Sequence, residues 1–219
     1  MFISMVVKFG LGFLMIGLIL FVCAGSLYYI NGWIFIIALA SPMMIFGIVL
    51  LIKDPETLAR RLKSKESDRS QRKNIAAGGV MFIAAFVLSG LDYRFGWSKA
   101  PFAVTMSALA VMLIGYALFV AVILQNAYAS RVVEVSDNQK IITTGLYAFV
   151  RHPMYVASIL VFVSMPLVLG SYFALLPMLF YPVIIVRCII NEEELLMQEL
   201  AGYKDYTEKV PYRLLPYIW

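Results

Sequence analysis

Residues 155–190 read YVASILVFVSMPLVLGSYFALLPMLFYPVIIVRCII. The run is far too long for one crossing of a ~30 Å hydrocarbon layer, which takes roughly 20 helical residues. Pro166 and Gly170 interrupt its middle. Proline lacks an N–H and glycine favours turns, so the run reads as a tight helical hairpin. Upstream lie four more apolar runs, over residues 5–30, 33–52, 75–91 and 102–124. They are continuous rather than alternating, which favours helices over the strands of a barrel. The composition agrees: 62% of the 219 residues are hydrophobic and 14% charged, more apolar than a soluble domain. The expectation is an all-α membrane protein with four spanning helices plus a C-terminal helical hairpin. The first run is too long for a signal-peptide core and lacks a cleavage site with polar flanks, so it counts as a spanning helix.

Charge gives the orientation. Lys53, Arg60, Arg61, Lys63, Lys65, Arg69, Arg72 and Lys73 crowd one connection, and Arg131, Lys140, Arg151, Lys204, Lys209 and Arg213 fall on the same side of the predicted crossings. Only Arg94 and Lys99 lie opposite. The positive-inside rule then places both termini in the cytoplasm. The net charge of +5 is thereby a topology signal with some attraction for anionic membrane lipids. It is scattered along loops, so nucleic acid is not an expected partner. Cys23 and Cys188 sit at different predicted depths facing a reducing compartment, which disfavours a disulfide. With a single histidine they make no zinc site of ordinary spacing, and no metal is expected. There is no glycine-rich phosphate loop and no G-x-S-x-G.

Two polar knots flank the hairpin. The first, Arg151-His152-Pro153-Met154-Tyr155, contains the only histidine. Pro153 suits the first position of a helix, His152 before it is pushed toward extended geometry, and Thr143-Thr144-Gly145 reads as a turn. A helix entrance offers N–H groups to an anion. Taken alone, the segment reads as an arginine at lipid phosphate and a histidine ending a helix. The second knot is Arg187 followed by Asn191, Glu192, Glu193 and Glu194. Three adjacent carboxylates repel unless a cation is near. On a straight helix Asn191 and Glu194 share the face of Arg187, while Glu192 and Glu193 point elsewhere. One carboxylate can neutralise Arg187 and another can take a cationic ligand.

Five stretches carry a resemblance: NAYASRVVE (126–134), QKIITTGLYAFVRHPMY (139–155), PLVLGS (166–171), RCIINEE (187–193) and GYKDYTEKVPYRLLPYIW (202–219). In this order and spacing the C-terminal half resembles the integral-membrane methyltransferases that include isoprenylcysteine carboxyl methyltransferase and phosphatidylethanolamine methyltransferase, and reads closest to bacterial members. The resemblance implies a bacterial inner-membrane protein with S-adenosyl-L-methionine as methyl donor and a lipophilic or lipidated acceptor, most like an isoprenylcysteine carboxylate. It divides the chain into N-terminal transmembrane helices (1–91) and a methyltransferase core (92–219) with a cytoplasmic cofactor site. It implies Gly145, Tyr147, Arg151, His152, Pro153, Tyr155, Glu192 and Glu193 as cofactor-binding, and Arg187, His152 and Tyr155 as catalytic. Glu194 and Leu146 depart from the family pattern, and Glu194 makes the carried-over acidic pair ambiguous by one residue. The chemistry fits, because the nucleophile of methyl transfer belongs to the acceptor. The enzyme supplies orientation, worth up to ~7–11 kcal/mol, and needs a base such as His152 only for a phenol or an amine. Two rival functions share some of these features. The similar sterol reductases use a nicotinamide cofactor but are larger, and no extra pocket segment is evident. A non-catalytic transporter or assembly protein would call for a charged path through the spans, and none is evident.

Overall fold

The computed structural model describes residues 2–62, 69–126 and 141–219. The regular elements among the described residues are all helical, in the order α1 (Phe2–Ala24), α2 (Ile30–Lys53), α3 (Pro55–Leu62), α4 (Arg69–Phe95), α5 (Phe102–Gln125), a 3-10 turn (Gly145–Ala148), α6 (Pro153–Val168), α7 (Leu175–Met178), α8 (Tyr181–Glu199) and α9 (Tyr203–Lys209). Five stretches are long and apolar enough to cross a membrane: Val6–Ala24, Ile30–Lys53, Lys73–Phe95, Phe102–Gln125 and Leu175–Glu199. The hairpin is present, with α6 as its shorter arm. Its 16 residues span ~24 Å. The chain is a multi-pass integral membrane protein of four spanning helices and a hairpin. Lys63, Lys65, Arg131 and Lys140, which entered the charge count, lie outside the described residues.

Helix pairs approach closely where glycine removes a side chain. A Cβ on Gly90 of α4 would meet Cys23 Cβ of α1 at 2.6 Å and the Leu20 carbonyl at 2.8 Å. A Cβ on Gly115 of α5 would meet Val161 Cγ2 of α6 at 2.9 Å. Lipid is as apolar as leucine, so close packing of this kind holds membrane helices together. The shared core runs through Leu20, Phe35, Met112, Met165 and Ile189. Many large apolar side chains stay exposed, Leu14 and Leu18 of α1 among them, as expected of faces turned to lipid.

The third apolar run does not stop at residue 91. Helix α4 continues to Phe95, and Asp92, just past the apolar run, lies in its last turn and is 1% exposed. Its Oδ1 accepts from the Ser98 backbone N–H at 2.6 Å, and its Oδ2 accepts from the hydroxyls of Ser98 at 2.6 Å and Ser171. Tyr29 adds a bond from its hydroxyl to the Leu169 carbonyl. Gly170, at φ +79°, reverses the chain between the hairpin arms, in the left-handed region that glycine tolerates. Helix α4 is therefore tied to the hairpin turn at the end of the bundle opposite the first knot. Replacing Asp92 by Ala leaves three donors without their acceptor, two on half-buried Ser98 and one on buried Ser171, and a buried group so stranded costs ~1–3 kcal/mol. An Asp92→Ala protein should melt well below wild type in detergent.

Candidate functional site

The site assembles where α6 begins, α8 ends and the C-terminal segment returns. His152 caps α6 without a side-chain cap bond, at φ −124° and ψ 60°, and Pro153 opens the helix. Both follow from the His-Pro step. The extended backbone around His152 pairs with the C-terminal segment: Arg151 N–H donates to the Tyr212 carbonyl at 2.9 Å and His152 N–H to the Arg213 carbonyl at 3.0 Å. Arg213, Leu214 and Leu215 in turn donate their backbone N–H groups to the Trp219 carbonyl, which curls the segment back on itself.

Glu193 is the hub of the knot. Its Oε1 accepts from Arg151 Nε at 2.7 Å and lies 3.1 Å from His152 Nε2, while its Oε2 accepts from Arg213 Nε at 2.7 Å. Arg151, His152 and Glu193 are each under 10% exposed. Arg151 Nη1 also donates to the carbonyls of Val210 and Pro211 at 2.8 and 3.0 Å, and Arg213 lies over the Trp219 ring, 5.0 Å from its centroid. The buried Arg151 guanidinium and Glu193 carboxylate are tolerable because they are paired and hydrogen-bonded, while the Arg213 side chain, 34% exposed, keeps part of its hydration.

Glu192 stands apart from this network. Its Oε2 accepts from the Tyr155 hydroxyl at 2.8 Å, and its Oε1 has no partner among the described residues. Tyr155 lies with its ring 5.8 Å from that of His152, so the two acidic residues border one another through α6. Glu194 is exposed. The adjacent glutamates thus differ: Glu193 has both oxygens engaged, Glu192 has one open, and Glu194 faces outward. Consecutive helical residues are about 100° apart, which separates them.

Gly145 and Tyr147 form the neighbouring wall. Gly145, at φ +62°, sits where a Cβ would collide with the Gln125 side chain. Gln125 Oε1 accepts from the Leu146 N–H at 2.9 Å. The buried Tyr147 hydroxyl accepts from Asn126 Nδ2 at 3.0 Å, and its carbonyl accepts from the Tyr206 hydroxyl at 2.8 Å. Burial, first of all, raises the phenols of Tyr203 and Tyr206 far above the ordinary tyrosine range. Both stay neutral donors at physiological pH.

The structure thereby joins Arg151, His152, Pro153, Tyr155, Glu192 and Glu193, with Gly145 and Tyr147 beside them. It does not bring Arg187 into the cluster. Helix α8 buries Tyr181, Ile185, Ile189 and Glu193, while Val183, Arg187, Ile190, Glu194 and Met197 are exposed on the other side. Arg187 has no ion pair among the described residues. Arg213, Tyr206 and Gln125 are site residues that sequence reasoning left unnamed. Arg213 carried a signal: it is a lone charge among Val210, Tyr212, Leu214 and Leu215, a setting where an arginine needs a buried partner. An apolar groove of about 530 Å³ between α5 and α6, lined by residues such as Val104, Ser107, Val163 and Leu167, lies along the hairpin-turn end of α6 and shares no residue with the cluster. No group of three metal-ligating side chains occurs among the described residues.

Residues 103–204 match the family model described as phospholipid methyltransferase. The matched segment holds both knots. It excludes α1 to α4 and ends before Arg213.

Proposed function

We propose that this chain, whose residues 103–204 match the phospholipid methyltransferase family model, transfers a methyl group from S-adenosyl-L-methionine to a lipophilic acceptor at the cytoplasmic membrane face, in the manner of isoprenylcysteine carboxyl methylation. The observation that carries this reading is the open carboxylate oxygen of Glu192, held by Tyr155 beside a cluster in which Arg151, His152 and Arg213 already engage Glu193. When bound, S-adenosyl-L-methionine supplies a methyl group on a positively charged sulfur, and transfer forms the acceptor–methyl bond as the sulfur–methyl bond breaks and the sulfur becomes a neutral thioether.

The residues present suit such a group. Glu192 would take its ammonium, an assignment that its single engaged oxygen leaves room for. Tyr155 fixes the Glu192 rotamer. Glu193 supports rather than contacts, because Arg151, His152 and Arg213 engage both its oxygens. His152 directs Nε2 to Glu193 and is 6% exposed. That favours an acceptor which needs no base, and a carboxylate is such an acceptor at neutral pH. Arg187, exposed on the far side of α8, is better placed to meet lipid headgroups than to orient a reactant. The division at residues 91 and 92 is kept in this reading as a functional one, with α1 to α4 supporting a core that holds the chemistry.

Labelled S-adenosyl-L-methionine added to sealed membrane vesicles tests the activity and its side together. Inverted vesicles should transfer label into a lipid-soluble product, and right-side-out vesicles should not. Binding of NADPH in place of S-adenosylhomocysteine by the purified protein would overturn the reading.

A further inference from the structure

Arg213 brings a second positive charge to a carboxylate that already has one. Glu193 holds both Arg151 and Arg213 at 2.7 Å, so two guanidinium groups meet one acid. The surplus charge is on the Arg213 side. The Arg151 guanidinium is buried and also donates to the Val210 and Pro211 carbonyls. The Arg213 side chain is 34% exposed and is bonded through Nε, and its Nη1 and Nη2 have no partner among the described residues. They do not swing freely, however. Arg213 N–H donates to the Trp219 carbonyl at 2.9 Å, and the Arg213 carbonyl accepts from His152 N–H at 3.0 Å. The guanidinium itself lies over the Trp219 ring. A planar fork fixed at Nε and along one face, with its outer nitrogens open to water, suits a carboxylate. Little side-chain entropy is left to lose on binding one. Glu192, one residue before Glu193 on α8, has an oxygen open beside the one that Tyr155 holds. Through neighbouring residues of α8 the site thus offers one unanswered cation and one unanswered anion, the complement of a zwitterion.

We propose that Arg213 binds the amino-acid carboxylate of the cofactor while Glu192 takes the ammonium. This rests on the methyltransferase reading above and deepens it. A prenylated cysteine would offer a carboxylate too, as the acceptor, but two arguments favour the cofactor. Arg213 is reached from water, the side from which the cofactor enters. An acceptor carboxylate clamped by a guanidinium fork would also have the electron pairs it must give to the methyl group engaged in hydrogen bonds, and stabilising the reactant in this way slows transfer. The role that the resemblance gives Arg187 falls, in this assignment, to an arginine outside the matched segment.

The test uses the full-length protein in detergent and two ligands that differ only in that carboxylate: S-adenosylhomocysteine and its decarboxylated analogue, which keeps the ammonium. Wild type should bind S-adenosylhomocysteine roughly tenfold or more tightly than the analogue, the worth of a charged hydrogen bond. Arg213→Lys keeps a positive charge for Glu193 and loses the fork. It should bind the two ligands about equally, with its affinity for the analogue close to that of wild type. A merely structural arginine would give an equal loss for both ligands, and that result overturns the assignment. So does a preference that survives intact in Arg213→Lys, and so does a wild type that binds both ligands alike. Should Arg213→Lys not fold, Trp219→Leu takes its place. The charge stays, the ring that steadies it is gone, and the preference should still shrink; an undiminished preference overturns the assignment. A raised KM for a farnesylated cysteine in Arg213→Lys at saturating S-adenosyl-L-methionine, with the ligand preference intact, would give the arginine to the acceptor and overturn it as well. Only a wild type that binds neither ligand removes the methyltransferase reading itself.

Discussion

Glu193→Gln should destabilise the protein more than any other single change at the site. The carboxylate is shared by Arg151, His152 and Arg213, and the side chains of Arg151 and Glu193 are 6% and 8% exposed. Neutralising it leaves the Arg151 guanidinium buried without its counter-charge, and the amide that replaces one oxygen points hydrogens at a donor. Breaking a buried pair by removing one partner costs about 3–5 kcal/mol. In a chain of this length that corresponds to a fall of roughly 10 °C in melting temperature. The C-terminal segment should loosen with it, because Arg213 loses the bond that fixes it to α8 while its backbone still pairs with His152. Limited proteolysis after Lys209 reports that loosening. A Glu193→Gln protein with the wild-type melting temperature and an intact C-terminal segment would show that water, not Glu193, compensates the two arginines.

Glu192→Gln should do the reverse, leaving the fold intact and removing ligand affinity. Glu192 is half-buried and bonded only to Tyr155, a contact that glutamine can keep. What disappears is the negative charge facing a cationic group. A hydrogen bond to a charged partner is worth about 1.5–3 kcal/mol, and each 1.4 kcal/mol is a factor of about ten. Isothermal titration with S-adenosylhomocysteine should show a ten- to hundredfold weaker Kd at an unchanged melting temperature. Glu194→Gln and Arg187→Lys should both bind and turn over like wild type, since both side chains project from the outer face of α8. A hundredfold loss of turnover in Arg187→Lys, with normal folding, would instead show that its planar fork clamps two oxygens and would return Arg187 to the catalytic set.

How the neighbouring glutamates divide their work shows where reading the sequence stops. The spacing of RHPMY and NEEE marked a polar site at one membrane edge, and the cluster is there. Yet Glu192, Glu193 and Glu194 are chemically alike, and only the rotation of α8 against α6 decides which is hub, which is open and which is outside. Arg187 shows the same limit. Helix phase by itself sets it on the face of Glu194 rather than that of Glu193, but only the packing of α8 leaves that face exposed. The partner of Arg213, as distinct from its need for one, was beyond sequence reasoning for another reason. It reaches Glu193 across 20 residues through a reversal of the C-terminal segment that no local propensity encodes.

The spanning helices, the hairpin broken near Pro166 and Gly170, and the His-Pro entrance to α6 were determined by the sequence alone. Each depends on local quantities: runs of apolar residues measured against the bilayer, a missing N–H, a glycine free to take positive φ. Tertiary structure alone decided that α4 runs on to bury Asp92 and that Glu193 is closed by two arginines while Glu192 is open. Those outcomes depend on which faces of separate helices meet, and that is set by close packing at Gly90 and Gly115 and by pairing of buried charge, long-range terms that no single stretch of residues contains.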